Sequence, residues 1–371
     1  MTSIELPQID DLRDLFLQKT PLLDVRAPVE FLQGAFPGAE NHPLINDDER
    51  EKIGRRYKNS GQDEAVVLGH ELVSGDIKTQ RIKHWKQFIE QHPEGVLYCF
   101  RGGMRSKISQ QWIYENTGII YPRVKGGYKR MRRFLIDELE ASVNEIQPLM
   151  LGGRTGIGKT VLLYELKQKI DLEGLFHHRG SVFGKHVTDQ PSQIDIENNL
   201  SIELLRQRQQ LFTTLVFEDE APNIGSRRIP EVLFNKMKQA PLIMLEASVD
   251  ERIEITFAEY IDESLAEHQK YYGAEQGFEK WAEQLQAAVD KLQRRLGGVR
   301  HKVLKSSLDD AIEQQRQGQG SDYHRHWIES LLVDYYDPMY DYQTSKKEQR
   351  IIFKGDKSAV KEFLQSEYQL T

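Results

Sequence analysis

The octapeptide Gly153-Arg-Thr-Gly-Ile-Gly-Lys-Thr160 constrains this chain more than any other stretch. It is a complete G-x4-GK[ST] pattern, preceded by the apolar run PLMLGG (148–153) and followed by VLLYELKQKI. A strand, a glycine loop and a helix in that order make a phosphate-binding loop. Gly153, Gly156 and Gly158 let backbone N–H groups turn inward around an anion. The helix N-terminus adds its positive end, Lys159 reaches a terminal phosphate oxygen, and the Thr160 hydroxyl is placed to ligate Mg²⁺. Such a loop needs a parallel sheet behind it, and TTLVFEDE (213–220) and PLIMLEAS (241–248) read as further buried strands. The acidic end Glu218-Asp219-Glu220 offers carboxylates to a metal ion or its water, as a Walker B element does. A solvated strand terminus is the plain alternative, and which acid faces a metal is open. The pattern specifies a diphosphate cradle, not the molecule that fills it.

The chain has 371 residues, enough for at least two cores at ~100–200 residues per domain. Before the glycine loop, PLLDVR (21–26) and GVLYCF (95–100) read as strands. Between them, RIKHWKQFIEQH (81–92) sets Ile82, Trp85 and Ile89 on one helical face. The expected fold is therefore α/β throughout. A first parallel sheet with helices covers 1–127, a helical connector 128–147, and a P-loop core 148–250. The mainly helical region 251–371 is expected to pack on that core. Within it, Phe278, Trp281, Leu285, Ala288, Leu292 and Leu296 form one stripe, closed by Gly297 and Gly298. Core packing is the expected role of that stripe.

The second chemical constellation is Tyr98-Cys99-Phe100-Arg101-Gly102-Gly103-Met104-Arg105-Ser106. Cys99 is the one cysteine in the chain, and a lone cysteine is usually a small buried hydrophobe. This one stands at a strand end before two glycines, with Arg101, Arg105 and Lys107 close in sequence. Curling backbone amides and cationic neighbours favour a thiolate. The Cys-x5-Arg spacing fits two chemistries, a thiol phosphatase and a sulfurtransferase-type loop. Loop length does not decide between them.

One thiol makes neither an intrachain disulfide nor a multi-cysteine zinc site, which suits a reducing cytoplasm. No apolar run approaches the ~18–20 residues of a membrane-spanning helix. The start MTSIELPQIDDLRDLFLQKT lacks the basic and apolar regions of a secretory signal. Formal charge is −7, from 50 basic and 57 acidic residues, so the balance does not itself announce a nucleic-acid binder. Clustering does more: Arg123, Lys125, Lys129, Arg130, Arg132 and Arg133 occur in a run without acids. Such a run binds phosphates by counterion release or is a solvated helix face.

Upstream, DVRAPVEFLQGAFPGAENHPL (24–44) resembles the rhodanese signature of Asp-x-Arg, Glu-Phe, Gly-x-x-x-Gly-Ala and Asn-x-Pro-Leu. In order, DVRAPVEF, DDEREKIGRRYK (47–58), YCFRGGMRS, KGGYKRMR (125–132), GGRTGIGKT, FEDEAPNIGSRRIP (217–230) and VDYYDPMYDYQ (333–343) resemble the tRNA 2-selenouridine synthase family. That family joins a rhodanese domain to a P-loop domain. One departure is EDEAPNIG, where the family pattern has a shorter acidic run before Ser-Arg-Arg-Ile; it leaves the role of Arg227 and Arg228 open. The resemblance implies a transferase acting on tRNA with 2-thiouridine at the wobble position. Geranyl diphosphate would alkylate the sulfur at the P-loop. Selenophosphate would then supply the selenium that replaces the S-geranyl group, carried on Cys99 as a perselenide. It implies that the Asp24–Arg26 pair braces the cysteine loop and that no tightly bound cofactor is expected, with Mg²⁺ an optional ion; the basic run is the expected path for the tRNA backbone. Two rivals remain at this level: a P-loop nucleotide-dependent kinase or transferase with a regulatory rhodanese domain, and a Cys-x5-Arg phosphatase using Cys99 and Arg105.

Overall fold

A computed structural model describes residues 5–370. The first four residues of the N-terminal stretch considered above, and the last residue, lie outside the described residues. The chain divides into two compact units, 1–142 with 192–209, and 143–191 with 210–371. The division is not a simple cut. The helix Gly127–Glu145, expected as a connector, belongs mostly to the first unit, and the helix Gln193–Gln209 returns to that unit from beyond the P-loop. The reason is packing: Ile202 and Leu205 share a buried cluster with Leu12, Phe16, Met131 and Leu135. Arg132 is bonded to Glu197 and to Asn198 on the same helix.

The first unit is built on a five-stranded sheet with all strand pairs parallel. Its order is Gln8–Ile9, Arg123–Val124, Val96–Tyr98, Leu22–Asp24, Ala39–Asn41. Leu22–Asp24 and Val96–Tyr98 are fully buried, as short apolar runs in a covered parallel sheet should be. Trp85, Ile82 and Ile89 bury the face of Gly75–Gln91 against this sheet, with Trp112 and Ile113 beside them. The helix Asp47–Leu72 starts with a capping box between Asn46 and Glu49 and breaks at Gly61, whose φ of +87° reverses the chain.

The second unit has its own five-stranded parallel sheet, in the order Ile351–Gly355, Leu242–Leu245, Gln147–Gly152, Thr214–Glu218, Lys169–Ile170. The strand leading into the glycine loop is thus central, with neighbours that end beside it. Two local expectations change. The helix after the loop is only six residues, Lys159–Tyr164, because the chain turns there to place Lys169–Ile170 in the sheet; the Lys169 ammonium donates to the Tyr164 carbonyl at 2.9 Å. The C-terminal region also returns a strand, Ile351–Gly355, whose half-buried edge position leaves it with a weak apolar signal. The extra residues of EDEAPNIG form a small antiparallel hairpin, Asn223–Ile224 with Arg227–Arg228.

Trp281, Leu285, Ala288 and Leu292 are buried in a large helical core with Trp327, Leu331 and Tyr336, and Phe278 and Leu296 pack against its edge. Among the described residues, no helix is long and apolar enough to cross a membrane.

Candidate functional sites

The cysteine loop of the first unit is assembled from segments far apart in sequence. Cys99 is 3% exposed, and its thiol donates to Ser106 Oγ at 3.2 Å, which in turn donates to the Gly103 carbonyl at 3.1 Å. Burial of this kind is also what a packing cysteine shows; the surroundings are what packing does not require. Gly102 has φ +63°, and a Cβ there would lie 2.5 Å from Gly126 N and 2.8 Å from Gly127 N. A Cβ on Gly127 would lie 2.2 Å from the Cys99 carbonyl oxygen. Two glycine pairs therefore let backbone lie on backbone. Tyr128 N and Lys129 N donate to the carbonyls of Cys99 and Phe100, each at 2.9 Å. This is why KGGYK accompanies YCFRGG.

Arg105 is clamped by Glu30, with Nη1 at 2.5 Å and Nη2 at 3.0 Å from the two carboxylate oxygens. Burial raises the Glu30 carboxyl, but the Arg105 pair outweighs it and the net pKa is lowered. Arg101 is exposed at the loop. Asp24 and Arg26 are 0% and 1% exposed and share bonds of 2.6–3.0 Å. The Arg26 guanidinium lies 3.9 Å from the Tyr128 ring centre, and Tyr128 holds the Cys99 carbonyl. The pair thus acts on the loop through Tyr128. Asp24→Asn should cost about 3–5 kcal/mol, because it leaves a buried guanidinium without its counter-charge. Urea denaturation would measure this; a loss under about 1 kcal/mol would remove the pair from the brace.

The basic run does not form one surface. Arg123 is buried, donating to Gln110 Oε1 at 3.1 Å and to the Gly102 carbonyl at 2.7 Å. Its role is to support the cysteine loop, which corrects its placement in an RNA-facing stripe: charge in sequence does not reveal direction. Arg132 points inward to Glu197 and Asn198. Lys125 and Arg130 both pair with Asp10, at 2.9 and 2.5 Å. Lys129 is exposed, and Arg133, 70% exposed, makes only a 3.6 Å ion pair with Asp137.

In the second unit the glycine loop is held from behind. Gly153, Gly156 and Gly158 have φ of 149°, 73° and 78°. A Cβ on Gly156 would meet Thr256 Oγ1 at 2.2 Å and the Arg252 carbonyl at 2.8 Å, so this turn accepts only glycine. Ser248 and Glu251 form a capping box that starts the helix Val249–Phe257. That helix presents Arg252, 1% exposed, whose Nε donates to the Thr155 carbonyl at 3.0 Å. Asp337 holds Arg252 from the other side at 2.7 and 3.0 Å, and Asp341 takes Arg154 at 2.5 Å. The run VDYYDPMYDYQ is therefore the clamp of the glycine loop. Arg252, Asp337 and Asp341 are supporting residues that the reading of the loop itself missed; the recurrence of that run in the family pattern was the signal for the two aspartates.

A cavity of 370 Å³ opens on the loop. Lys159 faces Glu173, Glu218 and Glu220 there. Burial alone would lower its pKa, but Tyr340 and these three carboxylates raise it, so it stays charged. Burial in turn pushes up Glu173, Glu218, Glu220 and Glu259; Lys159 acts against this on all four, joined by Lys347 at Glu220 and Arg179 at Glu259. Of the acidic triplet, Glu218 is the one beside the loop: Thr160 Oγ1 donates to it at 2.8 Å, while its second oxygen is buried without a partner. Asp219 pairs with Lys347 at 2.6 Å, and Glu220 lines the cavity. Glu173 and Glu259, unflagged by any sequence pattern, line it too. Two π-helical segments, Ala258–Glu263 and Leu332–Tyr336, deliver Glu259, Tyr335 and Tyr336 to its wall, a use to which such rare turns are often put. The six-residue helix contributes a small dipole, so the anion-binding capacity rests on the loop amides and Lys159.

A family model described as the tRNA 2-selenouridine synthase AAA domain matches residues 146–371. A tRNA 2-selenouridine synthase of Marinobacter nauticus is 50% identical over 360 residues, 97% of this chain and 98% of the relative. One of a Sulfurovum species is 48% identical over 360 residues, again 97% and 98%. One of Hahella chejuensis is 49% identical over 355 residues, 95% and 93%. The chain is an enzyme and belongs to the tRNA 2-selenouridine synthase family.

Proposed function

We propose that the chain converts 2-thiouridine at the tRNA wobble position to 2-selenouridine in two transfers. Geranyl from geranyl diphosphate is first placed on the sulfur, and selenium from selenophosphate then replaces the S-geranyl group. The observation that supports this reading is a cysteine loop and a G-x4-GK[ST] glycine loop in one chain whose relatives, matched end to end, are named for selenouridine synthesis.

In the first transfer, the thiocarbonyl sulfur attacks C1 of the geranyl group, the C1–O bond breaks, and diphosphate leaves with the electron pair. The loop amides and Lys159 stabilise the charge that gathers on the leaving group. Thr160 Oγ1 and Glu218, hard oxygen donors with one orphaned carboxylate oxygen between them, suit Mg²⁺. Such an ion would neutralise part of the diphosphate charge.

For selenium delivery we assign Cys99, in a rhodanese-like loop with Arg101 and Arg105 at its rim, to the step in which the selenium of selenophosphate attacks C2, the C2–S bond breaks with loss of geranylthiol, and water cleaves the Se–P bond to release phosphate. The Glu30 clamp on Arg105 favours this over a thiol phosphatase: an arginine already chelated by a carboxylate is a poor partner for a phosphate ester. Mass analysis of tRNA nucleosides from cells with and without the protein tests the proposal. 2-Selenouridine should be present only with it. Its persistence without the protein would overturn the reading.

The exposed part of the basic run should meet the tRNA backbone. Lys129, Arg130 and Arg133 changed together to Ala should weaken tRNA binding at moderate salt. Removing each cation from a phosphate should flatten the salt dependence by about one unit of slope. Binding of geranyl diphosphate should not change. Filter-binding titrations over a salt series read both; an unchanged slope would return the run to a solvated helix face.

A further inference from the structure

An apolar concavity of the first unit lies against the cysteine loop. It has a volume of 810 Å³ and is enclosed by the broken helix Asp47–Leu72 and the helix Met104–Thr117 that leaves the loop. Ile45, Ile53, Val66, Val73, Ile108 and Trp112 line it. The exposed Arg101 and Lys58 stand among its lining residues, while Arg105 is held by Glu30. Selenophosphate is a small anion and has no use for such a floor. An apolar cavity with a cationic rim fits a ligand that is greasy at one end and phosphate-bearing at the other. Under the function proposed above, on which this inference rests, the cysteine loop must receive a uridine that carries a ten-carbon chain on its sulfur.

We propose that this cavity holds the S-geranyl chain of the modified tRNA during selenium delivery. Arg101 and Lys58 at the rim then face the RNA phosphates, and the chain anchors the uridine beside the Cys99 loop. RNA still bearing an unmodified 2-thiouridine lacks the anchor and leaves the loop, so the cavity orders the two transfers. Free geranyl diphosphate shares the chemistry of chain and phosphate, and the experiment separates the two sources.

Gly54 lines the cavity, and a Cβ built on it meets nothing within 4 Å. Gly54→Trp therefore adds bulk at the cavity wall with no clash at Cβ. Val66→Asp is a second variant that leaves the volume and spoils the lining. The full chain would be titrated with three probes: an anticodon stem-loop RNA carrying S-geranyl-2-thiouridine, the same RNA carrying 2-thiouridine, and geranyl diphosphate. The wild type should bind the S-geranyl RNA roughly 100-fold more tightly than the thiouridine RNA, from burial of the chain. Both variants should lose that preference. Their affinity for the chain-free thiouridine RNA reports that they fold.

A preference that survives in both variants overturns the assignment. So does a wild-type preference abolished by saturating geranyl diphosphate while both RNAs still bind, since free diphosphate would then be the occupant. If the wild type makes S-geranyl RNA but shows no preference for it, the cavity assignment fails alone. If it neither makes nor prefers S-geranyl RNA, the two-transfer reading fails with it.

Discussion

Lys159→Ala should lower geranyl transfer by roughly 10²-fold or more, the usual cost of losing one charged donor aimed at a developing anion. The structure adds a second reason. Lys159 is the ammonium around which Glu173, Glu218 and Glu220 are gathered. Without it the carboxylates beside the glycine loop lose their nearest counter-charge, leaving Arg179, Arg295 and Lys347 as the cations of the cavity, and weaker charge balance joins the loss of the donor. A rate assay with 2-thiouridine RNA and geranyl diphosphate measures the effect. RNA that already carries S-geranyl-2-thiouridine bypasses the step, so selenium incorporation from that substrate should recover in the variant. Failure to recover would show that the glycine loop serves both transfers or is a structural element, and the division of labour between the two units would have to be abandoned.

Much of this architecture was legible in the sequence, for specific reasons. The strands around Leu22, Leu97, Met150, Val216 and Ile243 are buried on both faces, so they appear as unbroken apolar runs bounded by charge or glycine. The glycine loop is legible because its turns tolerate no other residue. The two-residue strands Gln8–Ile9 and Arg123–Val124 are too short to show any period. The helix after the loop was expected over ten residues and stops at six, because burial of Leu162, Leu163, Leu166 and Ile170 mimics a helical face while Ile170 is in fact a sheet residue.

Long-range pairing is what sequence pattern hides. Glu30 and Arg105 are separated by 75 positions, and Arg252 and Asp337 by 85. Each charge looked at alone is a surface charge. Only the fold makes the first pair the frame of the cysteine loop and the second the frame of the P-loop. Arg123 shows the reverse error: it belongs to the densest basic run of the chain, yet its strand turns it inward to the Gly102 carbonyl.

Cys99→Ser should abolish selenium incorporation and leave S-geranylation largely intact. Serine is close to cysteine in size, and its hydroxyl can keep the bond that the thiol makes to Ser106 Oγ at 3.2 Å. The loop should therefore remain in place, with Gly102 still against Gly126 and Gly127 and Arg105 still clamped by Glu30. What the variant loses is the soft, polarizable sulfur nucleophile, which a hydroxyl does not replace. Under the proposed function the prenyl transfer would draw on Lys159 and the loop amides of the second unit and would not need that sulfur. Nucleoside mass analysis of tRNA treated with the variant should thus show S-geranyl-2-thiouridine accumulating where the wild type yields 2-selenouridine. The accumulation is the informative half of the result, because a merely unfolded protein would leave 2-thiouridine untouched. Should the variant instead form 2-selenouridine at a rate near that of the wild type, Cys99 has no part in selenium delivery, and its burial beneath the glycine turn would then be explained by packing alone.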